Sequence, residues 1–206
     1  MAQLLASHGY VAATVEYRLS IEALYPAAVN DLKTALRWMR ANAAKYNIDT
    51  ARIAVYGCSA GGQLAYFLAA TNGIKKFEGA GYNNYSSKVH AVVTLDGIYN
   101  MTRASESGKD TIPDKPSGGK AWFGTAYRDN PEPWKEASAI YYVNDKMVPS
   151  LFVNSSLGRY HGGRDEMINK LKELNIYYET YTIPDTPHPF WLFHPWFDEA
   201  SIYIVN

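Results

Sequence analysis

Residues 52–62 read Arg52-Ile53-Ala54-Val55-Tyr56-Gly57-Cys58-Ser59-Ala60-Gly61-Gly62 and run straight into Gln63-Leu64-Ala65-Tyr66-Phe67-Leu68-Ala69-Ala70. The first part is a short apolar strand, the last a helix, and the turn between them carries one serine. Gly57-Cys58-Ser59-Ala60-Gly61 is a G-x-S-x-G, and a strand before it with a helix after it is the context that motif requires. Ser59 is expected on a sharp, strained turn. Gly57 and Gly61 are expected to supply the missing Cβ atoms that let strand and helix approach.

Working outward toward the N-terminus, Tyr10-Val11-Ala12-Ala13-Thr14-Val15-Glu16-Tyr17 predicts another short, largely apolar strand. From Ala27 to Ala44 apolar residues recur at helical spacing (Ala28, Leu32, Ala35, Leu36, Met39), with Asp31 and Lys33 expected outside that stripe. Strand, helix and elbow strand form a βαβ unit, which makes the sheet parallel and the crossover right-handed. Met1 to Tyr10 has no basic region and no long apolar region, so it is not a secretory signal. It reads as the end of an amphipathic helix, with Leu4 and Leu5 inward and Gly9 as its stop.

Toward the C-terminus, Thr71 to Ser87 is a polar connection and Val89 to Leu95 the next parallel strand, ending at Asp96-Gly97. Residues 98–148 break the βαβ rhythm. An insertion after a strand's C-terminal end lies over the active-site face, so a cap-like element is expected there, its aromatics mainly packing it down. Val148 to Asn154 is a strand, Glu166 to Leu174 an amphipathic helix, and Ile176 to Ile183 the last strand; a final helix carries Ile202 and Ile204. The whole chain, 1–206, reads as one α/β domain of mostly parallel sheet flanked by helices.

Composition excludes several classes. Twenty Lys and Arg balance twenty Asp and Glu, so no polyanion partner is indicated and no nucleic-acid binding is expected. No apolar run approaches membrane-spanning length, so no membrane partner is expected either. Cys58 is the single cysteine, which forbids an internal disulfide and leaves the compartment unread. No metal or cofactor is called for.

A serine hydroxyl becomes a nucleophile only when a positioned base takes its proton. In chain order Ser, acid, His, the histidines after the last strand are His188 and His194, with His161 an outside candidate. His188, between Pro187 and Pro189 in the loop leaving that strand, is the expected base, and His194 is expected to be structural. The acid is open between two residues. Asp165 stands in the loop after the strand ending at Asn154 and is preferred, although it could instead cap the following helix. Asp96, at the end of the preceding strand, is the alternative. The backbone N–H of Ala60 is expected to serve the oxyanion. A second donor from an earlier glycine-rich loop is missing.

These residues resemble the α/β-hydrolases of the hormone-sensitive-lipase and carbohydrate-esterase type. The likeness runs from Ser7-His8-Gly9-Tyr10 and Tyr17-Arg18-Leu19-Ser20 through Pro26 to Asp31, and peaks at Gly57 to Leu64. The tail, Phe152 to Ser156, Gly162-Gly163-Arg164-Asp165 and Pro187 to Phe197, is similar to acetyl-xylan and pectin esterases. The resemblance implies a serine esterase with a Ser-His-Asp triad, in which Ser59 is the nucleophile and His188 the base, with Asp165 kept as the preferred acid from its place in the chain. Its substrate would be acetyl or methyl esters, small or on plant polysaccharide, with Trp122 and Trp191 as substrate-contacting residues. It also implies an exported bacterial protein at full length.

In two places the chain departs from that pattern. An H-G-G oxyanion loop and the first strands are not seen ahead of the elbow, so an N-terminally truncated form is expected, and Asn154-Ser155-Ser156 replaces the start of an H-G-x-x-D acid motif. Other readings left open are a peptidase, thioesterase or lipid esterase of the same fold, or an inactive fragment acting as a carbohydrate-binding relic.

Overall fold

The computed structural model describes residues 1–107 and 116–205. In chain order the elements are α1 (Ala2–Ser7), α2 (Ala27–Ala41), α3 (Ala43–Tyr46), β1 (Ala54–Cys58), α4 (Ala60–Ala70), β2 (Ala91–Leu95), α5 (Ala104–Ser107) and α6 (Gly118–Phe123). They continue with α7 (Glu132–Glu136), β3 (Ser150–Ser155), α8 (Arg164–Glu173), β4 (Tyr178–Ile183) and α9 (Trp196–Val205). Residues 108–115 of the predicted insertion lie outside the described part.

The four strands form one parallel sheet in the order β1-β2-β3-β4. Alternation sends successive side chains to opposite faces. Phe152 joins the large core beneath α4 and α8, with Leu64, Tyr66, Phe67, Met167 and Leu171. Its neighbours Leu151 and Val153 face the other way, onto Phe190 and Ala200 of the C-terminal segment. Both faces are therefore covered, which accounts for the near-continuous apolar runs of β2 and β3.

Register decides where chemistry can gather. Cys58 pairs with Leu95, Leu95 with Val153, and Ser155 with Ile183. Ser59 and Asp96 thus leave neighbouring strands at one edge of the sheet, and the loop after Ile183 leaves at the same edge.

Two local expectations are corrected. The segment Tyr10–Tyr17 pairs with no strand among the described residues, and Tyr10, Val11 and Val15 are exposed. β-branched residues favour an extended chain, but a strand forms only where a neighbour's N–H and C=O groups accept it. Lys33 lies in the buried stripe of α2 and not outside it. Its Nζ donates to the Thr71 carbonyl at 3.0 Å and lies 3.6 Å from Glu78, so the ammonium is satisfied internally. Burial still pushes its pKa down.

Gly9, at φ 86°, stops α1 as its sequence suggested. Trp134 is fully buried against Phe123 and donates its indole N–H to the Thr125 carbonyl at 3.2 Å, as expected of an aromatic that packs the insertion down.

Candidate active site

The turn between β1 and α4 has no spare residue. Ser59 sits at φ 53°, ψ −119°, a region that costs a non-glycine residue about 1–3 kcal/mol. The fold holds it there from both sides: its N–H donates to the Leu95 carbonyl (2.8 Å), and its own carbonyl accepts from Gln63 (3.0 Å). A Cβ on Gly57 would stand 2.0 Å from the Gly61 carbonyl oxygen, so only glycine fits. Gly61 behaves differently from the expectation, because a Cβ there meets nothing within 4 Å. The second close approach belongs to Gly62, whose Cβ would fall 3.2 Å from the Gly57 carbonyl and from Gly97 Cα.

His188 reaches this serine from the loop after β4. Its Nε2 lies 2.8 Å from Ser59 Oγ, and its Nδ1 lies 2.9 Å from Asp96 Oδ2. A carboxylate only accepts, so Nδ1 carries the proton and Nε2 is free to accept the serine hydroxyl's. Tyr160 stacks on the imidazole with centroids 3.6 Å apart and planes 11° from parallel, and Trp191 meets it edge-on at 5.1 Å.

Asp96, and not Asp165, faces His188. Asp96 follows β2 directly, at φ 49°, and its side chain is fully buried. Burial opposes its ionisation, but hydrogen bonds from His161, Ser155 and His188 outweigh that and hold its pKa below the usual carboxylate range. Asp165 lies in the first turn of α8, 81% exposed, with its carboxylate on the Arg164 guanidinium (2.9 Å). The loop from Ser156 to Gly163 is too long to leave Asp165 at the strand's end, and α8 carries it out to solvent. His194 is an exposed residue paired with Asp198 at 2.8 Å and set edge-on to Phe197, away from Ser59.

A cleft of about 370 Å³ opens beside Ser59 and Ala60. Trp122, Gln63, Ile98 and Met101 line it together with the Tyr17–Ser20 loop, so residues of the 98–148 segment share this cleft with the serine. Trp191 borders His188 instead and is not among the cleft residues. Ala60 is the first residue of α4, where N–H groups have no intrahelical acceptor and the helix end is electropositive. In the Tyr17–Ser20 loop the N–H groups of Arg18 and Leu19 are already taken, by Asp31 (3.0 Å) and Glu22 (2.9 Å).

Cys58, next to the serine, is bonded to the Tyr56 hydroxyl (3.0 Å), and burial pushes its thiol pKa up to about 12. It is therefore a neutral packing group. Sequence reasoning missed Tyr160 altogether and considered His161 only as a base; nothing in their spacing signals contact with His188 or Asp96.

The BD-FAE family model matches residues 1–175. The chain belongs to the BD-FAE family. Ser59 and Asp96 fall inside the matched stretch, and His188 lies beyond it. Among curated proteins, the chain is 30% identical over 164 residues to Esterase LipC of Mycobacterium tuberculosis, covering 80% of this chain and 38% of LipC. It thus spans less than two-fifths of that relative's length.

Among solved structures, a truncated carbohydrate esterase from gut microbiota superposes with a TM-score of 0.78 at 28% identity, covering 92% of this chain and 71% of that one. A bifunctional GH43-CE protein of Bacteroides eggerthii superposes at 0.81 with 26% identity, covering 97% and 30%. BD-FAE membership and these likenesses show an α/β-hydrolase fold of the hormone-sensitive-lipase type.

Proposed function

We propose that this chain carries the centre of a serine carboxylic ester hydrolase, with Ser59 as nucleophile, His188 as base and Asp96 as the orienting acid. The observation that carries the reading is His188 spanning Ser59 Oγ at 2.8 Å and Asp96 at 2.9 Å. Ser59 Oγ attacks the ester carbonyl carbon while its proton passes to His188 Nε2. Asp96 stays ionised and balances the imidazolium. The Ala60 N–H donates to the oxygen that gains charge. Collapse expels the alcohol, which takes the proton from His188 and leaves an acyl-Ser59. Water then attacks, gives its proton to His188, and the acid departs as Ser59 recovers its hydrogen.

Acetyl or methyl esters on plant polysaccharide are the favoured substrates. Support comes from the carbohydrate-esterase structure that the chain resembles and from Trp122, an aromatic residue that lines the cleft beside Ser59. Turnover of p-nitrophenyl acetate by this chain and by Ser59→Ala tests the chemistry: a fall of roughly 10⁴-fold or more is expected, and equal rates refute the assignment. Acetate released from acetylated xylan, or methanol from pectin, tests the substrate. Turnover of lipid, thioester or peptide substrates alone would move the reading to those classes.

A further inference from the structure

Asp96 receives two imidazoles, and the mechanism above uses one. While Oδ2 faces His188, Oδ1 accepts the Ser155 N–H at 2.8 Å and lies 3.2 Å from His161 Nε2. The other nitrogen of that ring, Nδ1, is 3.0 Å from Arg164 Nη1. A guanidinium only donates, so Nδ1 must accept and the ring proton must sit on Nε2, aimed at Asp96. Arg164 in turn is held by Asp165 (2.9 Å). A continuous hydrogen-bonded chain therefore runs Asp165–Arg164–His161–Asp96–His188–Ser59.

The loop that presents His161 is itself fixed. The Gly162 carbonyl accepts from the N–H groups of Tyr99 (2.7 Å) and Asn100 (3.2 Å). Gly163 has φ 83° and lies so close to Asn100 that a Cβ would meet that residue's Cβ at 2.7 Å. The His161 side chain is 9% exposed. The preceding residue, Tyr160, is the one stacked on His188. Two adjacent side chains of one anchored loop thus touch the acid and the base.

We propose that His161, held by Arg164 as the Nε2–H tautomer, is a positioning residue that pins Oδ1 of Asp96 so that Oδ2 is presented to His188. The proposal rests on the Ser59–His188–Asp96 reading. His161 touches neither the nucleophile nor the cleft; it acts through the orientation of a buried carboxylate, where a displacement of about 1 Å is enough to cost roughly 10²-fold in rate.

Steady-state turnover of p-nitrophenyl acetate by the 206-residue chain separates the possibilities. His161→Leu should lower kcat roughly 10- to 100-fold with KM within about two-fold and an unchanged circular dichroism spectrum. His161→Gln, whose amide N–H takes the place of Nε2–H, should recover most of the loss. Arg164→Met, which frees the ring to adopt either tautomer, should fall between the parent and His161→Leu.

Parent-like kcat in His161→Leu overturns the proposal, as does a Gln variant, folded by the same spectrum, that is no better than Leu. Ser59→Ala and Asp96→Asn run alongside. If they keep parental turnover, the triad reading itself fails; if they lose it while His161→Leu does not, only the role of His161 fails.

Discussion

Two strand-to-helix junctions on the same edge of the sheet behave in opposite ways. At the β1–α4 junction Ser59 alone separates Cys58 from Ala60, so the flanking strand and helix fix its place, with one tie to the Leu95 carbonyl on β2. At the β3–α8 junction residues 156–163 intervene, and the side chains that matter, Tyr160 and His161, are aimed by contacts with Tyr99, Asn100 and Arg164. A tight junction writes its geometry into a pentapeptide. A long one leaves the geometry to whatever the loop packs against, which is why the acid expected at Asp165 lies in solvent and a residue of another loop faces His188.

The contrast is tested most severely at the two aspartates. Asp96→Asn should cut kcat by about 10⁴-fold, since an amide cannot hold the imidazole in the required tautomer, whereas Asp165→Asn should stay within about five-fold. The reverse order in an ester-turnover assay would return the acid to the long junction.

Within the tight junction, Gly57→Ala should cost roughly 3–5 kcal/mol in urea unfolding, because the new methyl has backbone on its far side and nothing can yield. Gly61→Ala, whose Cβ enters open space at the start of α4, should be neutral or stabilising by up to about 1 kcal/mol. Equal losses at the two glycines would show that the motif's second glycine has a steric role the structure does not display.

The smallest effects concern how the long junction is tied down. Thr186 Oγ1 accepts the Ser156 N–H at 3.2 Å and joins the β3 loop to the His188 loop. Thr186→Val should cost about 1 kcal/mol of stability, and a loss below about 0.3 kcal/mol would make this tie irrelevant.

Asp96 supplies a pH signature. Its folded pKa lies below the unfolded value of about 4, so its ionised form stabilises the fold above that pH, and the contribution is lost as pH falls through the folded pKa. Urea unfolding at pH 7, 4.5 and 3 should show part of the acid destabilisation disappearing in Asp96→Asn. An identical slope in both proteins would mean that the carboxylate is not held as its three donors imply.

The sequence by itself determined the elements whose causes are local. The elbow strand, the turn carrying Ser59 and the helix after it follow from apolar runs and from Gly57, and His188 follows from its place after the last strand. The parallel direction of the strands follows from the strand–helix–strand pattern around the elbow, whereas their order in the sheet does not.

Tertiary structure decided the rest. Tyr10–Tyr17 has strand-forming residues but no partner, and Lys33 is buried because Thr71 and Glu78 happen to meet its ammonium. Asp96 is the carboxylate that faces His188 because strand register sets it beside Ser59, while His161 and Ser155, distant in sequence, make its buried charge tolerable. A buried carboxylate is chosen by the donors that converge on it, and convergence across 65 residues of chain leaves no trace in local spacing.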